Sequence, residues 1–201
     1  MSIISSSNSA LAEIEAGSLS QLRICLLLES AATGVGRHVA DLAEELAIRG
    51  HEVHVIHSTT NIDTRFIQRS GQLKQLGCRM VPQVMKHQGH ISDVFLIAWI
   101  RNYLRRNGPF DVLHCHSTKA GLVGRLAGIG VGCKVLYTPH AFFTMKPGMG
   151  NLPRKAVSLL EASLARVSSH VITVSSREGN HANEIGIHRK KVKVIPNGIH
   201  L

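Results

Sequence analysis

Two histidines, His114 and His116, lie two residues apart in the run D-V-L-H-C-H-S-T-K-A-G, from Asp111 to Gly121. An imidazole titrates near neutral pH, so it can accept a hydrogen bond from a hydroxyl, donate one to a sugar or phosphate oxygen, or ligate a metal. The apolar neighbours Val112, Leu113 and Cys115 read as a buried strand, and in a strand residues i and i+2 share a face. The run halts at Ser117-Thr118, a pair suited to capping the helix predicted from Ala120, Leu122, Val123, Leu126 and Ala127. His116 is thus expected at a strand's carboxyl end, beside the positive end of a helix, on the edge where open parallel α/β sheets bind ligands. The alternative is that both histidines are hydrogen-bonded residues of the core.

The elements that must position them alternate along the chain. Gln21–Leu28 reads as a strand, Arg37–Arg49 as a helix closed by Gly50, and Glu52–His57 as a second strand. Gly34-Val35-Gly36 forms a short loop between the first strand and its helix. Asn61–Gln75 carries no clear period. Leu76–Val81 is the next strand, Ile91–Arg106 a helix, Asp111–Cys115 the central strand and Lys119–Gly128 its helix. Cys133–Thr138, His170–Val174 and Val192–Ile195 complete the strands, with helices at Leu152–Val167 and Ser175–Glu184. This beat predicts an α/β, Rossmann-like parallel sheet with helices on both faces. His116, His140, Gly34, Gly36, Ser175, Asn197 and Gly198 all follow strands in this reading, and so share one edge of the sheet.

Composition narrows the classes. No apolar run approaches the roughly 20 residues a membrane-spanning helix needs. The first 20 residues have neither a basic start nor a long apolar centre, so they read as a flexible tail rather than a secretory signal. The four cysteines (Cys25, Cys78, Cys115, Cys133) lie in or beside apolar runs without a C-x-x-C pair. They are expected as buried free thiols in a cytoplasmic chain, neither a disulfide framework nor a zinc site. Residues 1–100 hold 8 basic and 9 acidic side chains, whereas residues 101–201 hold 15 and 4. A basic half suggests an anionic partner, whether a phosphate group, a membrane surface or nucleic acid, or else a solvated basic face.

The motifs resemble the N-terminal, acceptor-side domain of the family-4 retaining glycosyltransferases of GT-B fold. T-G-V-G-R-H-V-A-D-L-A-E-E-L-A-I-R-G-H-E-V is similar to that family's opening loop and helix, D-V-L-H-C-H to its histidine strand, and Y-T-P-H-A-F to its next strand end. V-I-T-V-S and V-I-P-N-G-I resemble the segments that close the domain. The likeness covers residues 21–199, with Thr33 in place of the first glycine of the family's pair and His200 where the family has Asp. It implies transfer of a sugar, with retention, from a nucleotide-diphosphate sugar to a glycan, lipid-linked or small-molecule acceptor, without metal or other cofactor. It implies acceptor contact at His116, donor phosphate at Gly34 and Gly36, and an interdomain cleft at Ser175, Asn197 and Gly198; His140, at the next strand's end, is read from its position as a second group where an acceptor hydroxyl enters. The family's donor-binding C-terminal domain would begin where the chain ends, at Leu201. The reading is therefore of an acceptor-side half, inactive until that domain or a partner chain supplies the rest. Glu44 and Glu52 have the spacing of the family's E-x7-E element but fall in the wrong context.

Residue chemistry agrees in part. Two glycines before a helix permit close backbone approach to phosphate, while the absence of a third at G-x-G-x-x-G spacing argues against a dinucleotide fold. A metal site of His114, His116 and His140 is the minor alternative, with no carboxylate beside it. Ala141–Gly150 (A-F-F-T-M-K-P-G-M-G), followed by Arg154-Lys155, reads as a peripheral contact for lipid headgroups or a lipid-linked acceptor, or else as a loop packed on protein. A different class remains open: a basic, non-catalytic module for phosphorylated ligands, with nucleic acid the disfavoured partner.

Overall fold

The computed structural model describes residues 20–86 and 89–198. Apart from Ser20, the expected tail lies outside them, as do Ile199 and His200. Seven strands form one sheet: β1 (Arg23–Leu28), β2 (Glu52–Ser58), β3 (Arg79–Gln83), β4 (Val112–His116), β5 (Lys134–Thr138), β6 (His170–Thr173) and β7 (Val192–Val194). Every pairing is parallel and the order is β3-β2-β1-β4-β5-β6-β7. The helices are α1 (Thr33–Ile48), α2 (Thr64–Gln75), α3 (Asp93–Asn107), α4 (Thr118–Gly128), α5 (Asn151–Val167) and α6 (Ser176–Glu184).

Two apolar layers cover the sheet. Cys25, Leu27, Leu113, Cys115 and Tyr137 face α3 and α4, packing with Ile100, Leu104, Val123 and Ala127. Ile24, Leu26, Leu28, Val53 and Val55 face α1 and α2, packing with Val39, Ala43, Phe66 and Leu73. Leu26 and Leu28 pair in register with His114 and His116, which places both imidazoles on the α1 side of β4. All four cysteines are free, three of them buried and Cys133 half-buried. In α4, a Cβ added at Gly124 would overlap Cys115 Sγ and Leu27 Cδ2, so the absent side chain lets this helix sit close on the sheet.

Three elements differ from the sequence expectation. Helix α1 begins at Thr33 rather than Arg37, so Gly34 and Gly36 occupy its first turn and not an open loop. The unassigned stretch after β2 is α2, capped by Asp63, whose carboxylate accepts from Phe66 N–H at 2.8 Å. Only Phe66 and Leu73 are buried there, too few to register as a period. Strand β3 is displaced toward the C-terminus because Leu76 still caps α2 and Gly77 (φ +86°) turns the chain. Its Pro82, which has no N–H for a ladder, is tolerated on an edge strand.

A buried ion pair ties α4 to α5. Arg125 Nη2 donates to Glu161 Oε2 at 2.8 Å, Arg125 Nε to the Gly121 carbonyl at 2.7 Å, and Tyr137 O–H to Glu161 Oε1 at 3.3 Å. The guanidinium carbon lies 4.0 Å from the Tyr137 ring centroid. Removing one partner strands a buried charge, so Glu161→Leu should cost about 3–5 kcal/mol in denaturant unfolding. Arg125→Met in the same chain should recover most of that loss, and a Glu161→Leu protein as stable as wild type would contradict the pairing.

Candidate functional site

The sheet order reverses between β1 and β4, which pair side by side while their helices, α1 and α4, pack on opposite faces. Such a switch point opens a crevice at the strands' carboxyl ends. His116 ends β4 in register with Leu28, the last residue of β1. Its Nδ1 lies 3.1 Å from His140 Nε2, beyond the end of β5. His38, on α1, brings its ring centroid to 4.9 Å from that of His140 and 5.7 Å from that of His116. Behind them the His114 ring centroid lies 4.0 Å from that of His116, the rings tilted by 39°, and His114 shares a 2.8 Å hydrogen bond with Thr138 Oγ1. The sequence pattern singles out three of these four rings and passes over His38, although it stands in the R-H-V run at the start of a helix.

His116 itself is 0% exposed, and its Nε2 is buried without a hydrogen-bond partner. The half-buried His38 and His140 stand nearer solvent. Any ligand arriving at this edge meets those two first, with His116 behind them.

The backbone is strained at the same edge. Among the described residues, the non-glycine residues with positive φ are Thr33 (54°), Ser117 (78°), His140 (53°) and Ala141 (92°). They follow β1, β4 and β5. Each such conformation costs about 1–3 kcal/mol and persists only where the surroundings hold it. Thr33 N–H donates to Asp63 Oδ2 at 2.9 Å, Ser117 N–H to the Thr138 carbonyl at 3.0 Å, and Ala141 N–H to Glu178 Oε1 at 2.7 Å. Glu178 is buried, and its other oxygen accepts from Val174 N–H at 2.8 Å, clipping the β5 and β6 loops together. Ser175 caps α6 by accepting from Glu178 N–H at 3.2 Å. Of the Ser117-Thr118 pair expected to cap α4, Ser117 occupies the cap position with a positive φ of 78°, and its side chain makes no capping bond.

The two glycines of α1 differ in kind. A Cβ on Gly36 would lie 2.8 Å from the Ala31 carbonyl carbon and 2.9 Å from its oxygen, so this residue is needed for packing. Gly34 has open space before it. The first turns of a helix carry free N–H groups; here Asp63 takes that of Thr33 and the Ala32 carbonyl that of Gly36. A groove of about 1180 Å³ runs along this start between α1 and α2, lined by Gly34, Arg37, Asp63, Arg65 and Arg69 among others. Arg69 is already bonded to Asp41 and Glu44, at 2.8 and 2.7 Å.

Of the remaining expected positions, Asn197 and Gly198 are exposed after β7. The Ala141–Gly150 segment is only partly a surface: Phe142 and Thr144 are buried, Phe142 in the core, whereas Phe143 and Lys146 are exposed. Phe142 is therefore excluded from any lipid contact by its own packing. The metal alternative also changes membership, since the ligand atoms that lie within 4.8 Å of one another belong to His38, His116 and His140, not His114.

Sequence and structure comparisons agree on this fold. The solved structure of Anabaena Alr3699/HepE in complex with UDP and glucose superposes with a TM-score of 0.67 over 89% of this chain and 45% of its own, at 20% identity. The architecture is thus that of one Rossmann-like half of a GT-B protein. The sequence profile of Glycosyltransferase Family 4 matches residues 32–201, and the chain belongs to that family. An uncharacterized 41.2 kDa protein in the cps region of Klebsiella pneumoniae is 30% identical over 176 residues, 82% of this chain and 47% of that protein. The UDP-Gal:alpha-D-GlcNAc-diphosphoundecaprenol alpha-1,3-galactosyltransferase of Escherichia coli is 29% identical over 128 residues, 60% of this chain and 31% of the enzyme. The chain spans less than half the length of these curated relatives.

Burial governs the charge of the cluster. It holds His114 down to about 3, His140 to about 4 and His116 well below the ordinary histidine value, with the neighbouring imidazoles adding to the effect. His38 is lowered by burial as well, with Asp41 opposing, and so are His54 and His57 on β2. Each group is neutral when folded but takes a proton below about 6.5 when unfolded. The unfolded chain thus binds more protons in acid, and this stability is complete above about 6.5 and lost as pH falls toward the folded values. Thermal midpoints should drop between pH 6.5 and 5, above the carboxylate range, and His114→Asn should flatten the drop. A midpoint constant over that interval would contradict neutral burial.

Proposed function

We propose that this chain forms the acceptor side of a retaining glycosyl transfer from a nucleotide-diphosphate sugar to a lipid-linked or glycan acceptor. The observation that carries the reading is the His116–His140 pair, seated at the β1/β4 switch point on a strained backbone. His140 and His38 are the groups placed to meet an acceptor hydroxyl, and neutral imidazoles can accept its hydrogen bond. His116, wholly buried, orients His140 through their shared hydrogen bond and is a positioning residue. The N–H groups of Gly34 and Val35, at the positive end of α1, are the donor-diphosphate contacts of this domain. The main donor site belongs to a second domain, in the same chain or a partner, across a cleft bordered by Ser175, Asn197 and Gly198. No resident metal or cofactor takes part.

Exposed apolar side chains at the starts of α3 and α5 support a lipid-linked acceptor. Ile91, Val94 and Phe95 are exposed beside Lys86, and Phe143 and Leu152 beside Lys146 and Lys155, all at the carboxyl edge of the sheet. Apolar side chains with basic residues around them suit an anionic membrane surface.

In an enzyme that joins this chain to its donor-binding partner, His140→Ala should cut kcat/KM for acceptor about 10- to 1000-fold, roughly 1.4–4 kcal/mol, with donor KM little changed. Phe95→Ser should weaken use of an acceptor embedded in anionic vesicles while sparing a short-chain soluble one. Normal acceptor kinetics in a folded His140→Ala enzyme would overturn the reading.

A further inference from the structure

We infer that His38, His116 and His140 together form a binding site for a borderline divalent metal ion of the Zn2+ class, which blocks this edge of the sheet. The three side chains offer one ligand nitrogen each, all within 4.8 Å of one another. In tetrahedral zinc sites Zn–N bonds of 2.0–2.1 Å set neighbouring nitrogens about 3.4 Å apart. The His116–His140 pair, at 3.1 Å, is within a few tenths of an ångström of that spacing. His38 is half-buried on a helix, where its ring can turn to complete the set. Three imidazoles with one open position are the ligand set of open zinc centres. Nitrogen donors select zinc, copper or nickel, while Mg2+ and Ca2+ need oxygen ligands.

The facing nitrogens of the pair, His116 Nδ1 and His140 Nε2, share a single proton between two lone pairs at the switch point. His116 Nε2, on the far side of its ring, is buried without a partner and is free to carry the proton displaced from Nδ1. Binding balances without net proton release from the pair. The proton now shared between His116 Nδ1 and His140 Nε2 moves to the other nitrogen of its own ring, and both former partners give lone pairs to the metal.

The inhibitory consequence rests on the acceptor role proposed above, because the metal would occupy His140 and His38. The binding itself does not. Co2+ titrated into the full 201-residue chain after chelator treatment should give the visible bands of a tetrahedral nitrogen site at one equivalent, and Zn2+ should displace it. His38→Gln and His140→Gln should each weaken binding by more than about 100-fold, the upper range for losing an outer-shell partner alone. Cys133→Ser should leave the spectrum unchanged. His38 lies on a regular helix, not on the positive-φ backbone that His140 occupies, so its variant provides a folded test even if His140→Gln melts early. Absence of a one-equivalent site, or full binding in His38→Gln, would overturn the inference. Since the titration needs no turnover, its failure would leave the acceptor reading standing, and normal acceptor kinetics in His140→Ala would leave the metal site standing.

Discussion

The pairing of β1 with β4 is the constraint on which the rest depends. With β1 between β2 and β4, the chain must leave the two central strands toward opposite faces, which opens a gap between their carboxyl ends. His116 arrives there because the register sets it opposite Leu28, and His38 because α1 starts a few residues after that strand ends. A slip of β4 by one residue would send the His116 ring to the other face of the sheet. The crevice follows from topology; its imidazole lining follows from register.

Keeping those rings in place sets two demands. Burial suppresses their charge, so the cluster is a set of neutral donors and acceptors rather than a cationic patch. The loops that carry them adopt left-handed backbone at Thr33, Ser117, His140 and Ala141, and carboxylates outside the cluster hold two of these turns. Asp63 and Glu178 each join the start of a helix to the loop of another strand. They are scaffold for the site, and charge reversal at either would be felt as backbone displacement.

Much of this was legible in the sequence because burial on both faces writes parallel strands as apolar runs, as in β1, the start of β4 and the middle of β5, while β2 alternates polar and apolar residues. The shared face of His114 and His116 followed from a period of two. What escaped had physical reasons. Helix α2 buries only two side chains, so its amphipathic signal was thin. Gly34 and Gly36 read as loop because glycine disfavours helix, yet Gly36 is in helix for the close contact with Ala31 that a side chain would forbid. His38 was missed because its ring partners lie 78 and more residues away, and the role of Glu178 because its bond to Ala141 spans 37 residues, although its bonds to Val174 and Ser175 are local. The Ala141–Gly150 run left open a lipid-facing surface or a packed loop, and it divides between them: Phe142 packs into the core while Phe143 and Lys146 are exposed.

Family membership and fold place the chain among glycosyltransferases, and its proposed role turns on one claim: that ligands enter at the histidine crevice. Ring 15N chemical shifts of all imidazoles, followed by NMR during titration with a short-chain polyprenyl-diphosphate sugar, test it most directly. Entry at the crevice predicts saturable shifts at His140 and His38, with a smaller one at His116 through their shared hydrogen bond, and none at His51, His170 or His188. Saturable binding that left His140 and His38 unmoved would contradict it.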